Sequence, residues 1–479
     1  MSGSEVVVAR SALVEEMAGG LLGDQRLEER RDRLMAVLEQ HPDTPFPEAC
    51  ADDAEVEALY RFLRNRRVSL DALIEPHVAA SHRRCAAVSE MLVIHDTTDM
   101  VFAGETARVG LASLGKGRHG FWVHAALAVS ADGLRAPLGL LSLVPFVRKM
   151  QAPGTHKDER ARFQDPEKES RHWRDGIAAV RTRVGASTRA IHVMDRGADS
   201  YELFAALIAH GDRFVVRLNH DRRVVTHTGP GTLQEVPSQT PVLCERDVTV
   251  APRHAGNRPQ QARKKHPPRE ARVATLQFAA RRLTVQRPQR PQYTHLPDTL
   301  DVHVVYAWEV AAPPGEEPVE WRLITTEPVD TVDQVLRIVD WYRTRWLIEE
   351  FFKALKTGCA YETRQLESLQ TLLIALALLA PIAWQLLLLR HLARATPDAT
   401  AAVVLSPRQL QVLRASPVGK ALTRTPTLRD ALFAVARLGG HLRQNGDPGW
   451  LVLGRGLQKL LLMEAGWAAA ESARRCDQS

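Results

Sequence analysis

The stretch from Trp341 to Gly358, WYRTRWLIEEFFKALKTG, constrains the fold and chemistry of this chain more than any other. No Pro or Gly interrupts it before Gly358, and its Glu, Lys, Leu, Ala and Arg residues favour a helix. Wound at about 100° per residue, such a helix has an apolar side suited to a core. The apolar side carries Leu347, Ile348, Phe351, Ala354 and Leu355. The polar side carries Tyr342, Arg345, Glu349, Lys353 and Lys356.

The polar side has two interpretations. Arg345 and Lys353 lie four residues from Glu349 on either side, which is typical of a solvated salt-bridge ladder. The spacing Y-(2)-R-(3)-E-(6)-K, within RW-x-IEEF-x-KA-x-KTG, instead resembles the signature of a group of bacterial insertion-sequence transposases. Those proteins are cut-and-paste enzymes of the DDE class, in the ribonuclease-H-like, retroviral-integrase superfamily. The resemblance favours a catalytic face.

The bulk composition permits this interpretation without requiring it. The chain has 479 residues, enough for two to four domains, and its 63 Lys plus Arg against 56 Asp plus Glu give a net charge of +7. A modest positive excess permits a polyanionic partner. The 5 cysteines are scattered singly, which indicates a reducing compartment rather than a disulfide framework or a zinc ribbon. With early acids and no apolar signal segment, we expect a cytoplasmic, nucleoid-associated bacterial protein.

One apolar run approaches the length of a membrane span. Residues Leu372 to Leu389 are apolar apart from Gln385, with Pro381 inside the run. Because the run is interrupted and stands alone in a polar chain, it predicts a buried helix packed on a sheet, and no membrane partner.

Residues 1–85 are predicted to form a helical domain. The segment DDAEVEALYRFLRNRRVSLDALI combines an apolar stripe with dense arginines, which suits contacts to DNA phosphates. Charge alone equally fits a solvated helix face, but ALYRFLRN resembles the terminal DNA-recognition domain of the same family. The resemblance implies DNA contacts from Arg61 and Arg64.

Residues 86–370 are predicted to form the catalytic domain, a ribonuclease-H-like mixed α/β sheet with a β-rich insertion at about 221–326. Three strands in sequence followed by alternating helix and strand give this pattern. The basic loop 253–272 is either a phosphate contact or a solvated loop. Residues 371–479 are predicted to be helical, and the resemblance implies that their last helix forms a homodimer.

Three separated acids are the candidate metal ligands. Hydrolysis of a phosphodiester needs an activated water and a stabilised leaving oxygen, which two divalent cations held by carboxylates supply. Asp96, at the predicted end of the first strand, and Asp195, at the end of the fourth, lie in HDTTD and MDRGAD, which resemble the family's two aspartate motifs. With Glu349 they are expected to hold two Mg²⁺ or Mn²⁺ ions.

Neighbouring acids are weaker candidates. Asp99 and Asp199 compete with the first aspartate of each motif, but the family pattern places the ligand first. Glu350 turns about 100° away from the polar side. An Asp at the end of a strand is also common as a turn or cap residue.

The resemblance implies further contacts to the double-stranded DNA of the element's ends. Arg345, Lys356 and Tyr342 would hold terminal phosphates, with Lys353 and Arg196 as additional candidates. Trp321, in VEWRLITTEP, matches the position at which this family stacks a flipped base while a DNA hairpin forms. Its alternative is an aromatic residue of a strand core.

The predicted function is therefore cut-and-paste transposition. The enzyme would bind terminal inverted repeats, nick them, form and open a hairpin, and join the ends to target DNA. The alternatives are a catalytically silent DNA-binding relative or inhibitor, and a metal nuclease without strand transfer.

Overall fold

The computed structural model of the chain describes residues 16–17, 22–40, 50, 52–103, 108–114, 118–148, 169–184, 189–226, 229–250 and 268–476. The described α-helices are α1 (Gln25–Gln40), α2 (Asp53–Leu63), α3 (Leu70–Ala86), α4 (Glu169–Arg183), α5 (Tyr201–Ala209), α6 (Val332–Thr344), α7 (Trp346–Lys353), α8 (Leu369–Ala395), α9 (Pro407–Ala415), α10 (Leu428–Leu438) and α11 (Trp450–Cys476). The described strands are β1 (Glu90–Phe102), β2 (Ala112–Ser113), β3 (His119–Ser130), β4 (Pro137–Phe146), β5 (Arg189–Met194), β6 (Arg213–Arg217), β7 (Arg223–Thr226), β8 (Gly229–Thr232), β9 (Cys244–Val250), β10 (Arg272–Gln286), β11 (Thr299–Glu309) and β12 (Glu320–Thr325).

The chain divides into two compact units. The first unit comprises Met1–His156, Asp175–Arg189 and Trp346–Ser479, and the second comprises Lys157–Arg174 and Ala190–Arg345. The helical character predicted for the two ends of the chain is confirmed in α1 to α3 and in α8 to α11. Most of the basic loop 253–272 and the first fifteen residues lie outside the described residues.

The sheet of the first unit is organised around β3. Strand β1 pairs with it in antiparallel register from Met91–Ser130 to Phe102–His119. Strand β4 pairs with the other edge of β3, and the predicted turn at Asp132 joins them, its carboxylate accepting from the main-chain N–H of Leu134 at 3.0 Å. Buried apolar residues of all three strands pack closely, so this sheet is a rigid support for the side chains that it positions.

Strand β1 is longer than the sequence predicted. Asp96 was expected at its end, but the strand continues to Phe102, and Asp96 lies within it, opposite Ala125. The prediction was wrong because a change from apolar to polar residues was taken as a strand end. The β-branched Thr97 and Thr98 continue the extended backbone, and β3 pairs with every residue as far as Phe102.

The apolar run of the sequence forms the centre of α8. This helix is long and apolar enough to cross a membrane by length and composition, yet 94% of its most apolar window is buried inside the protein. It contacts α3, α10, α11 and β4, and the Trp384 indole donates to the Pro137 carbonyl at 3.1 Å. The predicted buried helix packed on a sheet is confirmed.

The second unit contains a parallel pair of strands followed by an antiparallel array. Strands β5 and β6 are parallel, and β6, β12, β11 and β10 then pair antiparallel in that order. Strands β7 and β9 pair with β10, and β8 pairs with β7. The sequence predicted β9 to β12 but missed the four-residue strands β7 and β8, which lack apolar alternation. Parallel and antiparallel pairs in one array confirm the predicted mixed α/β class.

The signature segment is not one continuous helix. Helix α6 ends at Thr344, α7 begins at Trp346, and a π-helical turn, Ala354–Gly358, follows α7. The Thr344 hydroxyl donates to the Asp340 carbonyl at 2.8 Å, and the main-chain N–H of Arg345 donates to the Tyr342 carbonyl at 3.0 Å. Such local bonds tighten the last turn of a helix and compete with its regular ladder. The single uninterrupted helix predicted for this stretch was wrong.

Candidate active site

Asp96 is held on a rigid part of β1 in the first unit. It is half-buried, and its Oδ1 accepts a hydrogen bond from the main-chain N–H of Thr97 at 2.8 Å. The Thr97 hydroxyl in turn bonds to Nδ1 of His124 on β3 at 2.9 Å. The side chains of His95 and His124 are fully buried, with their ring centroids 5.6 Å apart. This packing fixes the backbone on both sides of Asp96, which a metal ligand requires.

Glu349 lies in the first turn of α7, also in the first unit. The fully buried side chains of Ile348 and Phe351 fix the rotation of the helix and leave Glu349 half-exposed. Helix α7 contacts β1. The structure therefore places Glu349 and Asp96 on two contacting elements, although 253 positions of sequence separate their numbers (349 − 96).

Lys356 reaches the same strand. Its Nζ donates to the main-chain oxygen of Asp99 at 2.5 Å and lies 3.4 Å from both Asp99 Oδ1 and Glu362 Oε1. Glu362 also accepts from the main-chain N–H of Val101 at 2.9 Å. Lys356, the predicted phosphate ligand, therefore contacts β1 three residues beyond Asp96.

Lys353 and Glu350 form a separate ion network. Lys353 lies 3.1 Å from Glu350 Oε1 and stands over the Trp346 ring at 4.3 Å from its centroid. The other oxygen of Glu350 accepts from Arg390 at 3.1 Å. Both carboxylate oxygens of Glu350 thus have cationic partners, whereas Lys353 keeps 46% of its side chain exposed.

Asp195 follows β5 in the second unit. It precedes the short 3₁₀ turn Arg196–Ala198, and its Oδ1 accepts from the main-chain N–H of Gly197 at 2.7 Å. This is the cap role that an Asp after a strand commonly has, and it uses one carboxylate oxygen. Arg196 is exposed and makes no ion pair within the part of the chain that the structure describes.

Asp199, the second acid of the MDRGAD motif, has a structural role. Its side chain is fully buried beside the Arg222 guanidinium at 2.5 Å. Its Oδ2 accepts from the main-chain N–H groups of Asn219 at 2.6 Å and His220 at 2.7 Å. A carboxylate with these donors stabilises the loop after β6 and has little capacity left for a metal.

The second unit also holds the predicted DNA-contacting aromatic residues. Trp321 lies on β12, opposite Ala307, and its ring meets that of Tyr342 edge-on at 5.8 Å between centroids. Tyr342 is only 7% exposed, so its predicted place on a solvent-facing polar side was wrong. Arg345, at the end of α6, is half-exposed.

The arginines of the N-terminal helices differ in their availability. Arg61 pairs with Glu57, one turn earlier on α2. Arg64 lies 3.0 Å from Glu367 and over the Tyr60 ring. Arg66 and Arg67, which follow α2, are exposed and have no ion pair among the described residues. They are the more accessible cations of this segment.

The sequence also matches known protein families. Residues 9–68 match the family described as Transposase DNA-binding. Residues 151–384 match the family described as Transposase DDE domain. The chain carries a transposase DNA-binding domain and a DDE transposase domain. Arg61 and Arg64 lie in the first match, and Asp195, Trp321 and Glu349 in the second. The match to the DDE domain begins after Asp96.

A solved structure of a transposase is similar to this one. It is the cryo-EM structure of the piggyBac transposase synaptic complex with hairpin DNA, at a TM-score of 0.35 and 8% identity, over 82% of this chain and 71% of that chain.

Two of the predicted acids offer ligand atoms that suit divalent metal ions. DDE transposases generally use divalent metal ions. Asp96 and Glu349 offer the hard carboxylate oxygens that Mg²⁺ and Mn²⁺ prefer, and both are half-exposed rather than buried. No group of three or more His, Cys, Asp or Glu side chains is arranged around a common metal position in the described ranges.

Sequence reasoning missed several residues of this site. Arg118, Glu362 and His124 contact the part of β1 that begins at Asp96, but they come from three distant segments. None of them stands in a recognisable motif. The spacing of Lys356 from Glu349 was visible, whereas its partners on β1 depend on tertiary structure.

Proposed function

We propose that this transposase performs cut-and-paste transposition of a bacterial insertion sequence, with Asp96, Asp195 and Glu349 as its catalytic acids. The observation that carries the proposal is the contact between α7 and β1, which brings together the elements bearing Glu349 and Asp96. The signature spacing around Glu349 lies within the match to the DDE domain. Asp195 joins the set through its motif, MDRGAD.

The three acids would hold two Mg²⁺ or Mn²⁺ ions. Such ions activate a water for attack on a phosphodiester and stabilise the leaving oxygen. The protein contributes preorganised ligands: the Thr97 N–H holds Asp96, and the Gly197 N–H holds Asp195, each through one oxygen.

Cations and aromatic residues would bind the transposon end. Arg61 and Arg64 would contact the terminal repeat, and Arg345 and Lys356 would hold phosphates next to the cleaved bond, while the buried Tyr342 would support the Trp321 ring. Lys353 and Arg196 are both exposed enough to add further contacts. Trp321 would stack on a base that leaves the duplex while the hairpin forms. We further propose that the synaptic complex is a homodimer and acts in the cytoplasm.

The alternatives predict different products. A silent relative or inhibitor would bind the ends without cutting them, and a simple metal nuclease would cut without forming a hairpin or joining strands. The presence of all three acids and the complete signature disfavours the silent relative. The complete signature resembles that of transposases, which join strands as well as cut them, and it therefore disfavours the simple nuclease.

Incubation of the protein with the inverted repeats that flank its own gene tests the proposal. We expect nicked and hairpin ends with Mg²⁺, and bound but uncut DNA with Ca²⁺. Addition of a plasmid target should then give joined products. Binding without cleavage in Mg²⁺ would support the silent relative, and cleavage without hairpins or joining would support the nuclease.

A further inference from the structure

Four charged side chains of the first unit form a partly exposed cluster beyond Asp96. We call it the Asp99 cluster, and its members are Asp99, Arg118, Lys356 and Glu362. None of the roles proposed above involves Asp99, Arg118 or Glu362. Asp99 lies on β1 three residues after Asp96, a distance of about 10 Å along the strand.

The two oxygens of Asp99 each face a different cation. Oδ2 lies 3.0 Å from a guanidinium nitrogen of Arg118, and Oδ1 lies 3.4 Å from Lys356 Nζ. The side chains of Asp99 and Arg118 remain 42% and 52% exposed. Exposed ion pairs contribute little to stability, so an external anion can compete with this carboxylate.

A phosphodiester is a suitable competitor. Like a carboxylate, it presents two charged oxygens on one atom, and Arg and Lys both bind it through charge-assisted hydrogen bonds. Lys356 is also held by the Asp99 main-chain oxygen and by Glu362. It would therefore stay in position if the Asp99 side chain rotated away.

We propose that Arg118 and Lys356 form one binding site for a DNA backbone phosphate, and that Asp99 occupies this site until DNA displaces it. The inference rests on the proposed function, because it takes DNA as the anion. It adds Arg118 as a phosphate ligand and assigns Asp99 as an internal competitor. The Asp99 carboxylate thus lowers the affinity of the site for a DNA phosphate, which must displace it.

The test compares Asp99→Asn with wild type in binding to a 40-base-pair duplex of the flanking inverted repeat, without divalent metal. The substitution keeps the shape of the side chain and removes its charge. We expect about three- to tenfold tighter binding, because the phosphate no longer displaces two ion pairs. We also expect log Kd to depend more steeply on log salt concentration, by up to about one unit, since the vacated cations hold salt anions that DNA releases.

Asp301→Asn is the matched control for the change in net charge. Asp301 is an exposed strand aspartate, 62% exposed and 3.6 Å from Arg282. Arg118→Gln is a second variant at an exposed position, and alone it should bind the duplex more weakly than wild type. Combined with Asp99→Asn, it should abolish the increase in affinity that Asp99→Asn causes. Thermal unfolding shows that each variant is folded.

The outcomes separate the two proposals. If Asp99→Asn changes affinity and salt dependence no more than Asp301→Asn, while wild type binds the duplex, the Asp99 cluster is not a phosphate site. If Arg118→Gln leaves the gain of Asp99→Asn intact, Arg118 is not a phosphate ligand. If wild type binds no DNA, the proposed function fails and this inference fails with it.

Discussion

The indole ring of Trp321 meets the phenol ring of Tyr342 edge-on, with 5.8 Å between the ring centroids. Tyr342 is buried at 7% exposure, whereas Trp321 is half-exposed on β12. The tyrosine thus supports the indole from one side, as aromatic pairs of this geometry do. Tyr342 acts in this arrangement as a packing partner of Trp321, which modifies the phosphate role that the signature implied.

Trp321→Ala should separate nicking from hairpin formation. Loss of base stacking, worth about 1–3 kcal/mol, should reduce the hairpin yield about tenfold, while the first nick stays near the wild-type rate. Trp321→Phe should retain part of the hairpin yield, because an aromatic face remains. Nick and hairpin yields are compared on one gel. Equal losses of both products would identify Trp321 as a structural residue.

Removal of the signature cations should weaken DNA binding through its electrostatic part. Arg345→Ala and Lys356→Ala should each reduce the slope of log Kd against log salt concentration by about one unit or less. Lys356→Ala should also cost about 1–2 kcal/mol of stability, because the main-chain oxygen of Asp99 loses its charged donor. Anisotropy titrations and thermal unfolding measure the two effects. An unchanged slope for both variants would exclude phosphate contacts from this segment.

The two acids of the MDRGAD motif should differ in how much they contribute to stability. Asp199→Ala removes the buried carboxylate that pairs with Arg222 and leaves the N–H groups of Asn219 and His220 without their acceptor, which should cost about 3–5 kcal/mol. Asp195→Ala removes one exposed cap bond and should cost about 1 kcal/mol, yet abolish cleavage. Chemical denaturation followed by fluorescence gives both values. Similar destabilisation by the two variants would contradict this assignment.

A buried ion cluster in the first unit makes stability depend on pH. Burial lowers the pKa of His77, although Glu16 opposes that effect. The neutral ring is explained by its bonds, since Nε2 accepts from the Leu140 N–H at 3.1 Å and Nδ1 lies 2.6 Å from Glu16. Burial raises the pKa of Glu16, but hydrogen bonds from Arg84 and His77 outweigh it and leave that pKa well below its usual range.

Acidification should therefore destabilise the protein in two steps. Below about pH 6.5, His77 binds a proton more readily in the unfolded chain than in the folded chain, so protonation favours unfolding. Below about pH 4.5 the same holds for Glu16. The thermal midpoint should fall between pH 7 and pH 5, and His77→Gln, which keeps a donor and an acceptor, should reduce that fall by about 2 °C. His210→Gln is the control, because His210 is an exposed surface histidine. An identical fall in wild type and His77→Gln would contradict this role.

Much of the fold was predictable because its signals are local. The first half of β1 and the strands β3 and β4 are largely apolar, and α8 is a long Leu-rich segment, so the hydrophobic pattern identified them. The short strands β7 and β8 were missed because their pairing with β10 depends on tertiary contacts. The break at Arg345 was missed because helix propensity carries no information about where the last turn tightens.

The candidate site was predictable only in part. Glu349 and its neighbours stand in one spaced motif, so the sequence alone identified them. The contacts of Lys356 with Asp99 and Glu362 depend on how distant segments pack, and no local pattern indicates them. Arg118 stands in the glycine-rich sequence LGKGRHG, which matches no motif. The hydrogen bonds and ion pairs that give Asp199 and Glu350 structural roles also come from distant segments, so no local pattern indicates them.

The central claim is that Asp96, Asp195 and Glu349 perform the chemistry while cations bind the DNA. The most direct test is single-turnover cleavage of the inverted-repeat end in Mg²⁺ by Asp96→Asn, Asp195→Asn and Glu349→Gln, with Glu350→Gln as the adjacent-acid control. We expect each of the three to lose about a thousandfold in cleavage rate, or about 4 kcal/mol, and to keep wild-type DNA binding within about threefold. Glu350→Gln should cleave within about threefold of wild type. Cleavage within about tenfold of wild type by any of the three variants would contradict the claim for that residue.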